Sequence, residues 1–154
     1  MTKGISMLRR RVAVTALAAV VLASGCASVQ MAPEQADTAA KSYAVSPGTA
    51  NIYVYRNEQM GAAIKMPVVL NGKLVGDTGA KTYLLLQVPP GPHVIVSKTE
   101  NDSLIAVSAE AGRNYFVWQE VKMGVMSPRS LLHLVDEATG KAGVAECKLA
   151  QTLP

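Results

Sequence analysis

The stretch "AAIKMPVVLNGKLVG", residues 62–76, decides the fold. Two short apolar runs, 62–70 and 73–76, flank the dipeptide Asn71-Gly72. Both central residues of a type I′ turn need positive φ, and Asn-Gly supplies it at least cost, so the stretch predicts a tight β-hairpin. Runs of the same kind recur on both sides: "ANIYVYRN" (50–57), "TYLLLQV" (82–88), "HVIVSKT" (93–99), "SLIAVSA" (103–109), "NYFVWQEV" (114–121) and "SLLHLV" (130–135). Each is rich in β-branched or aromatic residues, and Asp77-Thr78-Gly79, Pro90-Gly91 and Ala111-Gly112 supply turn chemistry between them. Strands this closely spaced leave no room for crossover helices. The expectation is an all-β domain over residues 48–154, an antiparallel β-sandwich or small barrel of about 7–8 strands. Only "DEATGKAGVAECKLA" (136–150) leaves space for a short C-terminal helix, which its glycines limit to a turn or two. A final strand over Ala145–Leu149 fits the same residues.

The N-terminus has a different composition. A basic stretch from Lys3 to Arg11 precedes an apolar stretch, Val12 to Ala23, and a small-residue exit at Ser24 and Gly25. That is the layout of a secretory signal over residues 1–25. The apolar stretch would cover about 18 Å of a hydrocarbon layer roughly 30 Å thick, too little for a permanent span. The charge balance agrees with removal of this segment. The chain carries 15 basic and 11 acidic residues, but Lys3, Arg9, Arg10 and Arg11 lie in the leader, which has no acidic residue. Without them 11 basic residues face 11 acidic ones. A neutral remainder argues against a nucleic-acid partner.

The leader ends in "LASGC", residues 22–26, which resembles the lipobox of bacterial lipoproteins. The resemblance implies that the Cys26 sulfur takes a diacylglyceryl group, that the chain is cut before it, and that the new amino group is acylated. A thiolate is the nucleophile such a transfer needs. One departure is Ala23 at the place where the motif prefers leucine; Leu22 stands one position further out. Ala27, not Asp, follows the cysteine, which by the sorting rule of such proteins points to the outer membrane, with the domain facing the periplasm. The alternative is an ordinary cut after Gly25, leaving Cys26 free to pair with Cys147, the only other cysteine, in an oxidising compartment. Residues 26–47 are Ala-rich, polar and aperiodic, and read as a lipidated N-terminus with a flexible linker of about 25 Å.

The blocks "ANIYVYRN", "PVVLNGKLVG", "TYLLLQVPPGPHVIV", "GRNYFVWQEV" and "LLHLVDEATGKAGVAECKL", in this order, are similar to the DUF2846 family of small bacterial envelope proteins. The second and third also resemble PEGA-type β-sandwich modules. The resemblance implies a β-sandwich behind a lipoprotein leader and carries no activity.

Chemistry-bearing patterns are few. The chain has no HExxH, CxxC, G-x-S-x-G or phosphate-binding glycine pattern, so no enzyme, metal or cofactor is expected. His93 and His133 read as solvent-facing strand residues, and Asp136-Glu137 as part of a turn. Tyr53, Tyr55 and Arg56 are the candidate ligand-binding residues: the tyrosines share one strand face, and that face, if open with a guanidinium beside it, would suit a glycan or a peptide carboxylate, whereas the plainer reading is that these aromatics cover a second core face or an edge. The loop "KMGVMSPRS" (122–130), with Met123 and Met126 beside Arg129, reads first as methionines packed down as core filler and second as a candidate protein contact. The function expected is a lipid-anchored binding or structural module of the envelope. A soluble periplasmic ligand-binding protein and an unrecognised hydrolase are the alternatives.

Overall fold

A computed structural model describes residues 29–154. Two sheets pack face to face. One has five strands in the order β8-β7-β1-β4-β9, and the other has four in the order β3-β2-β5-β6. The strands are β1 (Ala50–Arg56), β2 (Met66–Leu70), β3 (Lys73–Thr78), β4 (Thr82–Val88), β5 (Gly91–Lys98), β6 (Asp102–Ala109), β7 (Asn114–Lys122), β8 (Arg129–Val135) and β9 (Lys148–Leu149). Helix α1 (Glu34–Ala40) precedes them, and α2 (Glu137–Ala145) separates β8 from β9. Neither sheet closes into a barrel, so the sandwich is the architecture.

The hairpin at residues 66–78 forms as its turn chemistry requires: Asn71 and Gly72 take φ of 49° and 84°. The core between the sheets joins Ile52, Val54, Leu84, Leu86 and Val117 of one to Val68, Ile95 and Val107 of the other. At one end of this layer the filling is polar. Gln119, fully buried, accepts from Thr78 and donates to Ser97, which in turn accepts from Ser130 at 2.7 Å. Buried amide and hydroxyl groups are tolerated there because each finds a partner.

Three expectations need correction. The five-stranded sheet is mixed: β1 runs parallel to β7 and β4 parallel to β9. Residues 57–113, which contain the whole second sheet, serve as the crossover that parallel pairing demands. The expected short C-terminal helix and final strand both form as α2 and β9; what changes is Asp136, read as part of a turn, which begins α2 as its N-cap and accepts from Thr139 N–H at 3.0 Å.

The third correction concerns residues 26–47. From Val29 onward this segment is folded onto the sandwich. Met31 bridges Ala150, and Ala32 N–H donates to Leu149 O. Helix α1 lies on the outer face of the five-stranded sheet, with Asp37 and Ala40 buried. The segment is apolar-poor, but the face it covers is not: Tyr53, Tyr83 and Phe116 lie beneath it. Small side chains at Ala32, Ala36 and Ala40 let the backbone come close to those rings. Residues 1–25 and Cys26 lie outside the described residues.

Candidate interaction surface

The residues first singled out are not a surface. Tyr53, Tyr55 and Arg56 are all buried, Arg56 completely. β1 is central in its sheet and covered on both faces, so the face opposite Ile52 and Val54 is a second core and not an open one. Tyr53 stacks on Phe116 with ring centroids 5.1 Å apart and donates its hydroxyl to Ala40 O at 2.8 Å. Burial pushes the Tyr53 and Tyr55 phenols up to about 12. α2 presses on the neighbouring rings through glycine: a Cβ at Gly143 would lie 2.1 Å from Tyr55 Cε2, and one at Gly140 would lie 2.1 Å from Phe116 Cγ.

Arg56 organises a loop. Its guanidinium donates to the carbonyls of Met60, Gly61 and Ile64 at 2.7 to 2.8 Å. Burial lowers its pKa, with Glu58 opposing. Five donors in a rigid fork suit it to holding a loop that has no secondary structure of its own.

The histidines have structural partners too. His93 is buried, which corrects its expected solvent-facing position. Asn71 Oδ1 accepts from Val94 N–H, which turns its amide nitrogen toward His93 Nδ1 at 2.9 Å. His93 Nδ1 is therefore the acceptor, and Nε2–H donates to Pro89 O at 2.8 Å. The ring clamps the Asn71-Gly72 turn to the β4–β5 connection. His133 is half-buried; it stacks on Trp118 at 5.0 Å and reaches Glu120 Oε2 at 2.7 Å. Hydrogen bonds from Lys122 and then His133 lower the Glu120 carboxyl. Cys147 is 1 % exposed, its thiol donates to Arg56 O, and burial pushes it up to about 12. Among the described residues no three His, Cys, Asp or Glu side chains gather as a metal site.

What does stand open is the β7–β8 hairpin. Along its outer face Trp118 pairs with His133, Glu120 with Leu131, and Lys122 with Arg129. Its tip carries Met123, Val125 and Met126, the last 91 % exposed, beside Met60 of the loop that Arg56 holds. These residues line a shallow groove of about 250 Å³. The tip is ordered from below. Glu100 accepts from the backbone N–H groups of Val125, Met126 and Ser127 at 2.9 to 3.0 Å, and from Arg129 at 2.8 Å. Those N–H groups, ahead of Arg129, hold the Glu100 carboxyl down at about 2. Three apolar side chains thus project to solvent from a backbone that a carboxylate fixes. The exposure of Met123 and Met126 corrects the first reading of them as core filler, and Glu100, 25 residues before Val125, carried no signal of its own in the sequence.

Comparison with known proteins gives a family and no activity. A family model described as "Protein of unknown function (DUF2846)" matches residues 46–130. The chain belongs to the DUF2846 family. An uncharacterized protein of Haemophilus influenzae (strain ATCC 51907 / DSM 11121 / KW20 / Rd) is 30 % identical over 132 residues, covering 84 % of this chain and 79 % of that protein. No solved structure matches the chain. The DUF2846 match ends where β8 has barely begun, so α1 and α2, which cover the outer face of the five-stranded sheet, and its edge strand β9 lie beyond it.

Proposed function

We propose that this DUF2846 protein is a lipoprotein of the outer membrane, anchored through acylated Cys26, whose periplasmic sandwich acts as a binding or structural module of the envelope and not as an enzyme. The leader and its "LASGC" exit support the anchor. Two or three long acyl chains hold a protein at a bilayer durably, since each buried CH₂ adds about 0.8 kcal/mol. The observation that carries the binding role is the hairpin tip: Met123, Val125 and Met126 are exposed on a backbone pinned by Glu100. Adaptable methionines on a pre-ordered loop suit a protein contact, because little ordering entropy is left to lose on binding.

A photo-crosslinking residue at Met126 in intact cells tests the contact, combined with palmitate labelling of wild type and Cys26→Ser. The expected result is label in wild type alone and one discrete crosslinked species that Glu100→Gln diminishes. An unlabelled, freely soluble processed wild type contradicts the anchor; a crosslink pattern indifferent to Glu100→Gln contradicts the ordered tip.

A further inference from the structure

The two sheets differ on their outer faces. On the four-stranded sheet, cross-strand pairing aligns Leu74 with Val69, Val69 with Val96, and Val96 with Leu104, an apolar row across all four strands. Val94 and Ala106 pair in the adjoining row. Nothing among the described residues covers this face: Leu104 is 63 % exposed, and Leu74 and Val94 are exposed as well.

The described chain begins beside that sheet. Val29 and Gln30 line a depression with Gly76 and Asp77 of β3, and Leu153 N–H donates to Val75 O on the same strand. Leu74, where the apolar row starts, is two residues from Gly76, about 7 Å along the strand. Only Ala27 and Ser28 separate Cys26 from Val29. Three Cα steps reach at most about 11 Å. Because residues from Val29 onward are folded, the leash of about 25 Å expected from composition is replaced by one less than half as long. The hairpin tip, by contrast, joins β7 and β8, three and four strands from β9. That is about 14 to 19 Å at the usual strand spacing. Lys65, which lines the same depression as Val29, and Lys73 at the hairpin end are exposed and form no ion pair among the described residues. Lysines at an apolar rim suit phosphate headgroups, their stems lying along the apolar surface.

We infer that the outer face of the four-stranded sheet, with its row Leu74, Val69, Val96 and Leu104, rests against the lipid surface in which the Cys26 acyl chains are inserted. The inference depends on the proposed lipid anchor. The short leash sets the distance, the apolar row supplies the contact, and the β7–β8 tip is left turned away from the bilayer.

The test uses mature protein extracted from membranes, with Leu104→Cys or Met126→Cys carrying a maleimide-linked environment-sensitive fluorophore. Reconstitution is into phosphatidylethanolamine–phosphatidylglycerol vesicles with brominated acyl chains. Cys147 is buried, so label taken up by wild type reports a free Cys26 sulfur. The expected result is no label on wild type, a blue shift and loss of emission at position 104 in brominated vesicles, and an unchanged signal at position 126. Position 104 remaining as open to iodide in vesicles as in detergent overturns the inference while leaving the anchor standing. So does stronger lipid quenching at position 126, or protection of position 104 that appears only as protein density rises, which would mean a second copy on that face. Wild type that takes the label shows that the anchor itself has failed, and the inference with it.

Discussion

The two sheets have the same inner faces and opposite outer ones. Outside the five-stranded sheet lie two helices over Tyr53, Tyr55, Tyr83 and Phe116; outside the four-stranded sheet no described element lies over its row of aliphatic side chains. The covered sheet is a second hydrophobic core, and every residue of β1 is buried as a result. The other sheet has an outer face that no described residue covers, with chemistry intermediate between core and surface. Buried aromatic area is therefore concentrated on the outer side of one sheet, and exposed aliphatic area on the outer side of the other.

The largest effect should come from Phe116→Ala. It removes the ring against which Tyr53 stacks and α2 packs, and should cost about 3–5 kcal/mol in denaturant unfolding. A loss near zero would mean that the helices contribute little to the covered face. Gly143→Leu tests the approach of α2 directly. A side chain has no space beside the Tyr55 ring, so overpacking should cost about 2–3 kcal/mol and raise hydrogen exchange in α2 before the sheets respond.

Asp37 ties the N-terminal segment to the same face. Its carboxylate accepts from Tyr83 Oη at 2.9 Å, Leu149 N–H at 2.9 Å and Lys41 Nζ at 3.0 Å. Burial raises its pKa, but those hydrogen bonds, from Lys41, Tyr83 and Leu149 in turn, outweigh it and hold the group below its ordinary 3.8. A depressed carboxyl adds stability that is complete above the unfolded value and is lost as pH falls through the folded one. Asp37→Ala should cost about 1–3 kcal/mol at neutral pH. Melting temperatures followed down to acid pH should show a shallower acid decline in this variant than in wild type; an identical acid limb would contradict the assignment.

The smallest effect belongs to the four-stranded sheet. Leu104→Ser should change stability by no more than about 0.5 kcal/mol, because the side chain is exposed. A loss of several kcal/mol would show that the face is buried in the free protein and would erase the contrast between the sheets.

The strands were legible because their information is local. Eight runs bounded by turn residues became β1 to β8, and Asn71-Gly72 took the conformation its chemistry demands. The outer layer was not legible because it depends on what lies underneath. "NIYVYR" lacks the polar alternation of a half-exposed strand, which is the mark of a strand buried on both sides, and that mark outweighs the appeal of aromatics as a binding face. Ala36 and Ala40 stand one turn apart on α1, with Ala32 just ahead of the helix, and such small side chains suit close approach to rings but offer little apolar area. Gly140 and Gly143 disfavour a helix by propensity, yet they are where α2 touches the aromatic face. The methionine loop stood out in the sequence, but whether its side chains pack inward or project could not be read there, because that depends on the backbone order set by Glu100.

The proposed lipid anchor underlies both the proposed location and the inferred orientation of the four-stranded sheet, and intact mass spectrometry of the mature protein purified from membranes tests it most directly. The account predicts a chain beginning at Cys26 with the mass of a diacylglyceryl group on sulfur and a further acyl chain on the amino group. A mature chain that begins elsewhere, or a Cys26 without fatty chains, would contradict it.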